Sequence, residues 1–120
     1  MKATVICHVF NEEYMLPFWL EHHRRIFDHG IIIDYHSTDA TVAIVQRICP
    51  EWTVRTSRNA RFDAAETDRE VMDVEAELPA GSIKVALNVT EFVFLEGDIR
   101  RFFTGPNECY RLEALTPSPW

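Results

Sequence analysis

Apolar and polar positions come in blocks along this chain, and each block has the length of one secondary-structure element. A β-branched, apolar run over residues 4–10 stops at Asn11 and reads as a buried strand. From Leu16 onward, Leu16, Trp19, Leu20 and Phe27 share one helical face with His23. Pro17 falls in the first turn, where its missing N–H costs little. This helix is expected to end near 28–30. Ile31, Ile32 and Ile33 predict a second buried strand. Asp39 stands where a helix carrying Val42, Ile44, Val45 and Ile48 needs its N-cap, and Pro50 stops that helix. A short strand over 52–56 and a polar loop over 57–66 follow. Thr67 and Glu70 have capping-box spacing ahead of Val71, Val74 and Leu78, and the Pro79-Ala80-Gly81 sequence closes this third helix. Residues 83–87 predict a fourth strand, 92–95 a further one, 97–104 a short helix and 109–115 a last strand.

Strands alternating with helices of this length imply an α/β fold with a mostly parallel sheet and right-handed crossovers. At 120 residues and 47% hydrophobic, the chain is sized for one domain, taken as 1–115, with 116–120 as a tail or shortened linker. Its 12 Lys plus Arg against 19 Asp plus Glu give a formal charge of −7, which opposes attraction to nucleic acid or anionic lipid. Cys7, Cys49 and Cys109 are odd in number and contain no Cys-x-x-Cys pair, so neither a disulfide framework nor a structural zinc site is indicated. A reducing, cytoplasmic setting is expected. No segment approaches the roughly 18 apolar residues that a membrane span requires.

In an open α/β sheet, ligands bind at the carboxyl ends of the strands, where backbone N–H groups and helix N-termini are exposed. Polar clusters occupy two such ends here: Phe10-Asn11-Glu12-Glu13 after the first strand and Asp34-Tyr35-His36-Ser37-Thr38-Asp39 after the second. An anion such as Asp34 at the end of a buried strand needs a partner. Asp39 either only caps its helix or also faces a ligand. Arg58, Arg61, Asp68 and Arg69 follow the third strand. Either the arginines grip a diphosphate bidentately, or the loop is solvated and holds weak surface ion pairs. Neighbouring helical residues diverge by about 100°, so of His22 and His23 one is expected on the core face and the other in solvent. Cys7 and His8 alternate across a strand, which argues against a thiolate–imidazole pair. A zinc site drawing on Cys7, His8, His22 and His36 lacks ligand spacing.

Phe10-Asn11-Glu12-Glu13, Asp34-x-x-Ser37-Thr38-Asp39 and Asn88-Val89-Thr90-Glu91-Phe92, in this order and spacing, resemble family 2 glycosyltransferases over roughly residues 4–95. The resemblance implies a GT-A fold, a Rossmann-like three-layer sandwich, here expected to be incomplete. It implies binding of a nucleotide-diphosphate sugar and transfer of the glycosyl group, with inversion, to an unknown acceptor. Phe10 and Glu12 would lie beside the nucleoside, Asn11 would belong to the same nucleotide-sugar site, and Asp34 would bond base or ribose. Ser37 and Asp39 match the family's Ser-Thr-Asp turn, and Asn88 and Thr90 fall at the donor diphosphate. Glu91 would help hold a divalent cation, magnesium or manganese. Two departures stand out: Asn88 and Thr90 occupy the places of a typical Asp-x-Asp, and Tyr35 replaces a second aspartate. The acceptor half is expected to be missing, and no residue is assigned as catalytic base. The alternative is a non-catalytic nucleotide-sugar-binding or scaffold module of the same fold. Apolar surface uncovered by a missing half would favour self-association. A nucleotidyltransferase would carry a Gly-rich loop after the first strand, and none is present.

Overall fold

The structure is a computed structural model that describes residues 2–61 and 63–102. Phe62, the strand expected over 109–115, Cys109 and the tail at 116–120 lie outside the described residues. Four strands, β1 (Ala3–Val9), β2 (His29–Asp34), β3 (Thr53–Thr56) and β4 (Ile83–Ala86), alternate with α1 (Leu16–His23), α2 (Thr41–Ile48) and α3 (Ala64–Glu77), and a 3-10 helix covers Ile99–Phe102. The strands form one all-parallel open sheet in the order β3-β2-β1-β4. Chain order runs outward from β1 to β3, and β4 then returns to the other side of β1. The switch point therefore lies between β1 and β4, the place in such sheets where a crevice forms at the carboxyl ends.

The apolar runs are continuous because both faces of the sheet are covered. Ala3, Val5, Cys7 and Val9 point to the α1/α2 side, where they pack with Ile32, Leu16, Trp19, Leu20 and Val45. Ile6 points the other way and packs with Ile31, Ile33 and Val74 of α3. The two-residue period of a strand thus sorts one sequence run into two cores, giving three layers. The architecture is α/β and compatible with a Rossmann-like fold.

Gly30 is fixed by a close approach. A Cβ there would lie 2.1 Å from Cε3 of Trp52, whose ring meets that of Trp19 edge-on at 6.3 Å.

Several boundaries depart from expectation. α1 ends at His23 rather than at 28–30, because the Ile26 and Phe27 amides both turn back to the His23 carbonyl and the Asp28 amide already bonds to Ala3 of β1. The N-cap of α2 is Ala40, one residue after Asp39. The loop after β3 is shorter than 57–66: α3 starts at Ala64, where the Asp63 carboxylate accepts the Glu66 amide at 3.0 Å. Thr67 and Glu70 therefore lie inside the helix, both buried. β3 begins at Thr53, not Trp52, and β4 ends at Ala86, not Leu87. Residues 92–95 are irregular rather than a strand, since the Val93 peptide groups bond to side chains of α1 instead of a ladder. No helix among the described residues is long and apolar enough to cross a membrane.

Candidate functional site at the carboxyl edge of the sheet

The β1–α1 and β2–α2 loops are joined by their own polar side chains. Val9 and Asp34 are register partners at the ends of β1 and β2, so the residues after them emerge side by side. Asn11 adopts φ 48 and His36 φ 57, left-handed conformations that asparagine tolerates better than most residues. In that posture the Asn11 amide donates to Ser37 Oγ at 2.9 Å, and its side-chain oxygen accepts the Thr38 amide at 2.8 Å. The Glu12 amide donates to the buried Thr41 hydroxyl at 2.9 Å, and that hydroxyl donates in turn to Asp39. Asp39 also accepts the Thr41 amide at 2.9 Å and the Glu13 amide at 3.4 Å. It thus serves the first turn of α2 from outside the cap position and ties that turn to the neighbouring loop.

These bonds set the local electrostatics. Burial raises the Glu12 carboxyl above its ordinary value; Asp39 pushes it further up, partly opposed by His8. For Asp39, burial acts upward but is outweighed by the hydrogen bonds from the Thr41 hydroxyl and amide and the Glu13 amide, so its carboxyl is lowered. The buried Cys7 thiol is raised by burial first and then by Glu12 and Glu91 together. Both carboxylates therefore lie close enough to act on one side chain of β1, and Cys7 itself stays protonated and unreactive.

Asp34 is buried and finds a partner within its own turn, the Ser37 amide, at 3.3 and 3.4 Å from its two oxygens. These are long contacts, and a carboxylate offers about four acceptor positions, so capacity is left over. Phe10 is 51% exposed, with its ring edge against Tyr35 at 6.4 Å.

The segment after β4 closes the other side of β1. Its turn is capped from within, as Glu91 Oε1 accepts the Asn88 amide at 2.7 Å. From below, the Trp19 indole donates to the Asn88 carbonyl at 3.1 Å and the Glu91 carbonyl at 2.9 Å. The Asn88 and Thr90 side chains are left exposed at the rim. Among the described residues no three His, Cys, Asp or Glu side chains gather in a metal-ligand group. The second Glu91 oxygen makes no hydrogen bond among the described residues.

The arginine loop is organised toward α3. Glu70 accepts from the Ser57 hydroxyl at 2.6 Å, the Arg58 amide at 2.9 Å and the Asn59 side chain at 3.3 Å. Arg58 pairs with Asp73 at 2.7 Å and Arg69 with Glu66 at 2.5 Å, while Arg61 and Asp68 are exposed without an ion pair among the described residues. The Arg58 pair ties the loop to α3, while the Arg69 pair lies within α3 itself.

The carboxyl edge therefore brings together Phe10, Asn11, Glu12, Asp34, Ser37 and Asp39 on the β1–β2 side, with Asn88, Thr90 and Glu91 across β1. Arg58 and Arg61 lie on the loop after β3, whose Asn59 carbonyl is 3.0 Å from His36 Nε2, and Asp68 and Arg69 lie within α3. Sequence reasoning missed Thr41, whose position two residues past Asp39 was the available signal. It also missed Trp19, His22 and His23 as holders of the segment after β4, for which the sequence carries no local signal. A cleft of about 430 Å³ opens elsewhere, at the amino edge of the sheet, lined by residues that include Arg24, Arg25, Cys49 and Trp52. No protein-family model matches this chain, and no curated protein matches it in sequence.

Proposed function

We propose that the carboxyl edge of β1, β2 and β4 binds a nucleoside-diphosphate sugar, and that the chain is a glycosyltransferase-like domain of GT-A type. The observation that carries this reading is the convergence at the carboxyl ends of the strands: Asn11, Glu12, Asp34, Ser37 and Asp39 are linked through the loops after β1 and β2, and the segment carrying Glu91 follows β4 on the other side of β1. Polar groups at this end of a parallel sheet are placed to receive a nucleotide. Phe10 offers an exposed ring for a base, and Asp34 has acceptor positions for ribose hydroxyls or an imide N–H.

A divalent cation would be held by Glu91 together with phosphate oxygens and water, since magnesium commonly uses one or two carboxylates beside substrate phosphates. Its chemistry there would be to neutralise the diphosphate leaving group. Neutral Asn88 and Thr90 contribute hydrogen bonds rather than charge. This favours a second reading, a module that binds the donor without transferring the sugar.

Isothermal titration with uridine and guanosine diphosphates, with and without manganese, tests the proposal. Binding that weakens when Asp34 or Glu12 is replaced by alanine supports it; absence of heat with every nucleotide in either condition sinks it. Sugar transfer from a bound donor separates the enzyme from the binding module.

A further inference from the structure

His22 and His23 grip one peptide residue from opposite poles. His23 Nε2 lies 3.1 Å from the Val93 amide and His22 Nε2 lies 2.6 Å from the Val93 carbonyl. An amide N–H can only donate, so His23 Nε2 must be unprotonated. The proton of its neutral ring is then on Nδ1, which donates to the Trp19 carbonyl at 2.9 Å. A carbonyl can only accept, so His22 must carry its proton on Nε2. The two rings thus play opposite roles at Nε2, an acceptor in His23 and a donor in His22.

We propose that His23 is a proton-operated latch on the segment following β4. Its neutral ring holds Val93; a proton taken from water at Nε2 converts the acceptor into a second donor facing the Val93 N–H and releases it. Release of this N–H loosens residues 88–94, which carry Asn88, Thr90 and Glu91, while the His22 ring on the Val93 carbonyl and the Trp19 indole remain as anchors.

The surroundings make this ring a sharp sensor. It is fully buried among Trp19 and His22 of α1, Phe27 of the following turn and Phe92 of the latched segment, with ring centroids 4.3, 4.8, 6.0 and 5.5 Å away. Of these ring neighbours only His22 is ionisable, and it opposes protonation of His23. Burial first, and His22 after it, lower the His23 pKa to about 4, against the bond to Trp19. The latch concerns the chain's own conformation and stands whether or not a nucleotide binds.

Amide NMR of the ligand-free protein from pH 7 downward tests it. The Val93 amide shift and the hydrogen-exchange protection of residues 88–94 should change together with the His23 ring signals, with one midpoint near pH 4. Below the midpoint each pH unit should lower the latched fraction about tenfold. Val5, Ile6, Ile32 and Ile33 should keep their protection. In His23→Gln the side-chain oxygen still accepts from Val93 but does not titrate, so the local transition should vanish. A Val93 amide indifferent to His23 titration, a transition that persists in His23→Gln, or loss of sheet protection at the same midpoint would each overturn the latch. Should the variant not fold, the wild-type titration decides alone.

Discussion

Asn11 and Thr38, 27 residues apart, hold each other through two hydrogen bonds: the Asn11 side-chain oxygen accepts the Thr38 amide at 2.8 Å, and its nitrogen donates to the Thr38 hydroxyl at 3.4 Å. The backbone of Asn11 sits at φ 48 to make this reach. Two replacements separate the effects. Asn11→Gly keeps the conformation and loses the bonds, at about 1 kcal/mol. Asn11→Ala also strains the backbone, adding about 1–2 kcal/mol. Urea denaturation should rank wild type above Asn11→Gly above Asn11→Ala, and equal stability of the two variants would contradict the account.

Gly30 has no room for a side chain beneath the Trp52 ring. Gly30→Ala should destabilise the fold by about 1–3 kcal/mol through overpacking. Shrinking the partner in the double variant Gly30→Ala with Trp52→Leu should recover part of that loss. A thermal melt of Gly30→Ala that matches wild type would show that Trp52 is not seated on Gly30.

Glu70 bridges α3 to the loop after β3 by accepting from Ser57, Arg58 and Asn59. Glu70→Ala leaves the buried Ser57 hydroxyl and the Arg58 amide without their acceptor, and each such group costs about 1–3 kcal/mol. Glu70→Gln keeps one acceptor oxygen and should lose less. Proteolysis of residues 57–63 in Glu70→Ala, with β1 and β2 intact, is the expected signature; equal resistance in wild type and variant would argue against the bridge.

Stability should also depend on pH through His23. Its folded pKa of about 4 lies below the unfolded value of about 6.5, so the unfolded chain binds the proton more readily in between. This contribution is fully present above about pH 6.5 and is lost as pH falls toward 4, with a slope of about 1.4 kcal/mol per pH unit. Urea unfolding of wild type and His23→Gln across that window should show the extra slope only in wild type. Parallel curves would mean that His23 is not buried in its neutral form.

What the sequence disclosed, and what it hid, follows from where each backbone group finds its partner. β1 and β2 were legible because buried parallel strands need apolar residues on both faces, and the runs ending at Asn11 and Asp34 supply them. The same logic misread residues 92–95. Their apolar character is real, since Val93 is buried, but His22 and His23 rather than a neighbouring strand take up its peptide groups. The two histidines were expected to diverge; their rings instead meet at 4.8 Å and reach the two ends of one residue. Thr67 and Glu70 imitated a capping box, while the working N-cap is Asp63, whose carboxylate accepts the Glu66 amide. At the site, the two strand-end clusters were visible as polar residues after apolar runs. The bonds joining them cross 26 to 29 residues of sequence and emerge only once β1 and β2 pair.

The account rests on the carboxyl edge of the sheet being the place where a nucleoside diphosphate binds. Amide chemical-shift mapping with uridine and guanosine diphosphates tests this most directly. The predicted result is a set of perturbed amides confined to residues 10–13, 34–41 and 88–91. Perturbations gathered instead around Arg24, Arg25 and Trp52 at the amino-edge cleft, or none with either nucleotide, would contradict it.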